Sequence, residues 1–585
     1  MEEQPMRISK RCLVLLAGLL SIKVLFAQNI PPRHPQCHNA DKILINATFI
    51  TLNNTQPEAH AVAIHQEHIV AVGDEKSLFE QCKGPDTTLI DLNGATVAPG
   101  FIDTYSHFIL YGWLANHSLD LSTTNAFQRA HWKPIKNIDD FLNAIKANLD
   151  PSKPWLVVSG YDEGRVQGAL LNQGLLDEID ATHPILVFYA SGQKALLNTA
   201  AIRKIQQDKR FGSIYIDYEG VISGNSLNHF LTAFIKPMEV AEAIETAAKH
   251  YTEQGYTTIT EVNSTPSWIN NYIAATKNKA FPLDVVYTTS NAKQRHNLQQ
   301  MSAKNPRLYP GPVLVKVDGL AQNYAAYLTS PYIQPIAPFS SGWRGALHRP
   351  PKDLEEEIAS ALHQKIPLAI EAHGDAAIDF SLNILQKTKP TGAPLVLINI
   401  EYIREDQLQR LKLLEVQASW FSPYLFYWGE NMCHERLGSL RALQMNPLQT
   451  AKKILGQTPA HANSPAVPPS PIDAMNWMTT RTVQRWHYPV NRRCPQYFNI
   501  NERISMKEAL ESFTIDAAKL YQLDHEKGSI ERGKLADMVI LSHNPLKDLS
   551  DSLKVTGTIV RGQIHFMDKK PANKPLSAPQ SSTLP

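Results

Sequence analysis

The chain has 585 residues, 43% hydrophobic and 19% charged, with 57 lysines and arginines against 55 acids for a formal net charge of +2. Its length exceeds what one core usually supports, so a large domain plus a smaller one is expected, and the apolar content excludes a disordered chain. The near-neutral balance supplies no field to draw in nucleic acid or an acidic membrane surface, so no nucleic-acid partner is expected.

In chain order, Arg7, Lys10 and Arg11 precede an apolar run from Cys12 to Ile22, and the stretch closes at Ala27. This reads as a signal peptide over 1–27, implying export to the periplasm or the extracellular space. The run is about half of the roughly 20 residues that span a bilayer, so no membrane span is expected after cleavage. Four cysteines follow it. Cys37 and Cys82 lie at the edges of one β-rich stretch and are expected to pair, with free buried thiols as the alternative. Cys433 and Cys494 receive no pairing, and no spacing matches a thiolate zinc site.

From Lys42 to Leu92, short β-branched runs alternate with turns, and β-rich runs return near the end in ADMVILS and TGTIVRGQIHF. Each piece holds too few strands to stand alone, so 36–98 and 525–568 are expected to combine into one small β-sandwich domain. Between them, over 99–524, short apolar runs such as PWLVVSG, PILVFYA, TTITEV, LDVVYTT and VLVKVDG alternate with helical periodicity. About eight such repeats predict a closed (β/α)8 barrel of the TIM type, and no GxGxxG follows a strand to suggest a dinucleotide site. Residues 569–585, rich in Pro, Ser and Lys, read as a disordered tail.

The segment VAPGFIDTYSHF (Val97 to Phe108) resembles the PGFID-x-H-x-H segment of the amidohydrolase superfamily. IEAHGDAAID (Ile370 to Asp379), NIEYI (Asn399 to Ile403) and the stretch from Ala509 to Leu541 resemble further segments of the same superfamily. Within it the chain looks most like the YtcJ-like members, and SPYLFYWGENMCHERLGSLRA resembles the subgroup called exoenzyme regulatory protein AepA. The resemblance implies metal-assisted hydrolysis of a non-peptide carbon–nitrogen bond in a small amide-like molecule. A divalent ion lowers the pKa of its bound water while a nearby carboxylate accepts the proton.

The positions at which the resemblance places ligands are mostly different here. Tyr105 stands where the first histidine is expected, and His107 keeps the second. Leu314 takes the place of the bridging lysine, with Lys316 two residues on; Glu371 replaces the histidine of H-x-x-G-D, with His373 two residues on; Tyr402 ends the I-E-H segment. Asn463, near His461, stands for the catalytic aspartate, and an amide cannot accept a proton near neutral pH. Gln193 and Tyr424 occupy positions of pocket histidines. A phenol with an ordinary pKa of about 10 is a poor ligand at neutral pH.

Two readings follow. In one, His107, Glu371 and His373 form a rebuilt two-histidine, one-carboxylate site for a single zinc, iron or manganese ion. In the other there is no metal, Glu371 and His373 only hydrogen-bond within a polar pocket, and the protein is a catalytically inactive binder or regulator. Asp318 and Asp375 are expected to brace turns or helix starts. Arg481 is expected to brace loops, and the aromatic run from Trp420 to Trp428 to build pocket wall and core.

Overall fold

The computed structural model describes Cys37 and residues 40–567, apart from 213, 337–338, 389–391 and 549–551. The expected signal peptide and tail lie outside the described residues.

Eight strands form one all-parallel sheet in sequence order: β1 (Phe101–Ile102), β2 (Tyr256–Glu261), β3 (Asp284–Thr289), β4 (Leu308–Lys316), β5 (Leu368–Glu371), β6 (Leu395–Ile400), β7 (Gln417–Phe421) and β8 (Ala460–His461). β2, β3 and β6 are buried at every residue, as parallel strands covered on both faces must be. Residues just past the ends of the sheet join β1 to β8: Thr104 Oγ1 donates to the Ala460 carbonyl at 3.2 Å, and the Asn463 N–H donates to the Tyr105 carbonyl at 3.2 Å. The curled sheet with helices between its strands is consistent with the expected barrel.

Two strand readings are corrected. PWLVVSG and PILVFYA are strands, but not of the barrel. Leu156–Tyr161 and Ile185–Tyr189 pair with each other in a separate five-stranded sheet built from 119–223, which interrupts the chain between β1 and β2. Both strands are completely buried, so in sequence they look like barrel strands. This inserted sheet carries its own core, including Phe141, Val158, Ile185 and Val187.

The terminal segments do pair, but in one mixed eight-stranded sheet and not as a separate two-sheet sandwich. Thr88–Pro99 is the seam: it runs parallel to Lys42–Ile50 and antiparallel to Met538–Leu541. Disulfides link Cys37 to Cys82 beside this sheet, and Cys433 to Cys494 among the loops beyond β7 and β8. A buried ion cluster ties the C-terminal segment to the barrel. Asp284, at the start of β3, contacts Arg307 at 2.9 Å, Arg561 at 2.8 Å and Lys527 at 2.7 Å, and Lys527 also pairs with Asp537. No helix among the described residues is long and apolar enough to cross a membrane.

Candidate functional site

The C-terminal ends of the barrel strands place Lys316 at the end of β4, Glu371 at the end of β5, Asn399 and Glu401 at the end of β6, and His461 at the end of β8. This face is where loop and strand-end residues of a barrel carry chemistry. Gly374 turns the chain tightly after β5: a Cβ there would lie 2.1 Å from the Tyr327 carbonyl oxygen. Asp318 holds that turn by accepting the N–H groups of His373 at 2.8 Å, Gly374 at 2.9 Å and Tyr327 at 2.8 Å. It is thus a brace. So is Asp375, which accepts the Thr329 N–H and an Arg404 guanidinium proton.

Glu371 is fully buried and lies at the centre. Its Oε1 accepts from Gln193 at 2.9 Å and Asn399 at 3.2 Å and lies 3.2 Å from His373 Nε2. Its Oε2 accepts from the Tyr105 hydroxyl at 2.9 Å, with the Lys316 ammonium at 3.4 Å. Burial alone would raise this carboxyl, but Lys316, His373 and Tyr105 together hold it well below the usual range. His373 lies between two carboxylates, with Nδ1 3.1 Å from Glu401. Burial opposes its charge, yet Glu401 and Glu371 lift it to about 10. In this arrangement both ring nitrogens are engaged with carboxylate oxygens.

The sequence-derived trio is only half assembled. Glu371 and His373 meet each other. His107 hydrogen-bonds neither, and its buried Nε2 has no partner among the described residues. Burial, then Lys316, push His107 down to about 3. Among the described residues no three His, Cys, Asp or Glu side chains are grouped to hold a metal ion. The donor chemistry explains this: a cation would have to enter where Lys316, Tyr105, Gln193 and Asn399 already saturate the carboxylate. The residues present do not fit the ion that the resemblance implies.

Of the other expected positions, Leu314 is buried against Tyr105 and Val262. Tyr402 and Tyr424 lie in an aromatic cluster with Phe421 and Trp428, and the Tyr424 hydroxyl donates to Gln322 at 2.6 Å. His461 stacks on Phe421, with ring centroids 5.6 Å apart, and neither of its nitrogens has a partner among the described residues. The Asn463 amide donates to Asn399 Oδ1 at 3.4 Å. Arg481 binds the carbonyls of Met445, Asn446 and Phe498, bracing loops as expected. The sequence does not single out Asn399 and Glu401, although both stand in the NIEYI segment, whose departure from the family pattern is at Tyr402.

Beside Glu371 lies a cavity of about 360 Å³, lined by its partners Gln193 and Lys316, by His107 and Leu314, and by the start of the helix Gly224–Phe234. The His373 imidazolium makes the site sensitive to base. Its folded pKa of about 10 lies above an unfolded value near 6.5. Its contribution to stability is therefore complete below about pH 6.5 and is lost as pH rises toward 10. The denaturation midpoint should fall over that interval, and His373→Gln should remove part of the fall; an unchanged pH profile in the variant would exclude this account.

The fold and site together define a barrel-type protein with a polar cavity at the C-terminal face of a parallel sheet, its chain interrupted by an inserted five-stranded sheet. Residues 88–566 match the profile of the amidohydrolase family, and the chain belongs to that family. Among curated relatives, the putative amidohydrolase YtcJ of Bacillus subtilis is 23% identical over 90% of this chain and 99% of its own. The N-substituted formamide deformylase of Arthrobacter pascens is 22% identical over 90% of this chain and 98% of its own. The exoenzymes regulatory protein AepA of Pectobacterium carotovorum is 25% identical over 58% of this chain and 75% of its own. The crystal structure of an uncharacterized metal-dependent hydrolase from Pyrococcus horikoshii superposes with a TM-score of 0.66 at 20% identity, covering 86% of this chain and 98% of that one. This likeness is one of fold.

Proposed function

We propose that this chain is an exported amidohydrolase-family protein that holds a small amide-like molecule in its barrel mouth without a divalent metal, and so is a binding or regulatory member of a hydrolase family. The observation that carries the reading is the saturation of Glu371 by donors from Tyr105, Gln193, Asn399, His373 and Lys316. Asn463 supports it, since its amide stands where a proton-accepting carboxylate is expected. The name of the formamide deformylase relative supports an amide-like ligand. The two disulfides support export, because such bonds persist in oxidising compartments.

A second reading, metal-assisted hydrolysis of a carbon–nitrogen bond, draws on the buried unpartnered nitrogens of His107 and His461. One experiment separates the two. The protein is recovered from the exported fraction of an expressing cell, its N-terminus is sequenced, and its metal content is measured after growth with zinc, iron and manganese. The expected result is a mature chain beginning close to Gln28, with well under one metal ion per chain. Stoichiometric metal would overturn the metal-free reading, and a retained leader in the cytosol would overturn export.

A further inference from the structure

We infer that the cavity beside Glu371 takes a small organic anion, a carboxylate carried on a neutral amide-sized body, with the Lys316 ammonium as its charge partner. The inference rests on the ligand-binding reading above and gives that ligand a chemical class.

Four observations converge on it. Lys316 lines the cavity, and its only acidic partner among the described residues is Glu371 at 3.4 Å, whose Oε2 already accepts the shorter Tyr105 bond. An ammonium has three protons to donate, so Lys316 retains donor capacity toward the cavity. Secondly, the 11-residue helix Gly224–Phe234 begins at the cavity wall, and Ser223 makes no side-chain cap to its first turn. The free N–H groups and dipole of a helix start favour a negative ligand. Thirdly, His107 lines the same cavity, and its Nε2, buried and without a partner among the described residues, can donate as the N–H tautomer.

Fourthly, the acids lining the cavity are already engaged. Glu261 accepts from the Ile109 N–H at 2.9 Å and the Tyr272 hydroxyl at 2.7 Å, and burial pushes its carboxyl up to about 8. Glu357 pairs with Arg349, a second cation of the wall. The amides of Gln193, Asn228, Asn263 and Asn291 complete a polar lining suited to a neutral hydrogen-bonding body. At about 360 Å³ the space lies near the small end of ligand sites.

The test titrates the full mature protein with N-acetylglycine and with N-acetylglycinamide, its neutral counterpart of the same size, by calorimetry. The acid should bind roughly tenfold tighter than the amide, and added salt should narrow the gap. Lys316→Arg should keep the preference. The double variant Lys316→Met with Glu371→Gln, which removes both charges of the pair and leaves no lone buried ion, should lose it. Equal affinity for acid and amide, no binding of the acid, or a preference that survives in the double variant would each overturn the inference. Repeating the titration after chelation separates this outcome from the metal question. A preference unchanged by chelator supports Lys316 as the charge partner whatever the metal content, whereas one that vanishes with the metal overturns both readings.

Discussion

Glu371→Ala should destabilise the protein by about 3–5 kcal/mol in chemical denaturation, the cost expected when one partner is removed from a buried ion pair. The wild-type carboxylate is fully buried and faces Lys316 at 3.4 Å and the His373 imidazolium at 3.2 Å. Without it His373 keeps Glu401 and the nearby Asp318, Lys316 loses its acidic partner among the described residues, and the Tyr105 hydroxyl and the Gln193 and Asn399 amides lose their acceptor. Glu371→Gln preserves shape and some hydrogen bonding and should cost less. Combining it with Lys316→Met should recover part of the loss, with a coupling energy of about 1–3 kcal/mol in the double-mutant cycle. A Glu371→Ala protein as stable as wild type, or one whose only defect is lost metal, would mean that the carboxylate is not held in this network.

The second large effect is expected far from the pocket. Asp284→Ala should also cost about 3–5 kcal/mol, because Arg307, Arg561 and Lys527 converge on a carboxylate with no exposed surface. Burial alone would raise Asp284, but Lys527, Arg561 and Arg307 hold it well below the usual carboxylate range. A depressed folded pKa contributes stability above the unfolded value of about 3.9 and loses it as pH falls further. The wild-type midpoint should therefore drop steeply in acid, and the variant, already deprived of that term, should show a shallower acid limb. Limited proteolysis should detect release of the C-terminal segment in the variant, since Lys527 and Arg561 lie on it. Parallel acid limbs would show that Asp284 does not carry this dependence.

The parts of the protein legible in its sequence are those with local signatures. The PGFID segment carries the resemblance to the family, while the alternation of apolar runs with helical periodicity and the two β-rich termini follow the 3.6- and 2-residue periods and imply a parallel sheet and a pairing of the termini, though not the sandwich expected of them. Asn463 could be judged a poor base from its functional group alone. The bracing roles of Arg481 and Asp318 were also within reach, since a glycine-flanked aspartate at a strand end most often caps a turn.

What only the tertiary structure decided is pairing. Leu156–Tyr161 and Ile185–Tyr189 have the composition of barrel strands, and nothing local says that their ladder partners lie in an inserted sheet. Gln193 reaches Glu371 across 178 positions, and Tyr105 across 266, so neither contact leaves a trace in spacing. In one dimension His107 keeps a ligand position, Glu371 stands at another and His373 lies two residues from it. In three, His373 is spent between two carboxylates and Glu371 is already surrounded by donors, one of them the Lys316 ammonium. Side-chain type limits what a residue can bind, but free lone pairs and protons depend on neighbours that folding brings from distant parts of the chain.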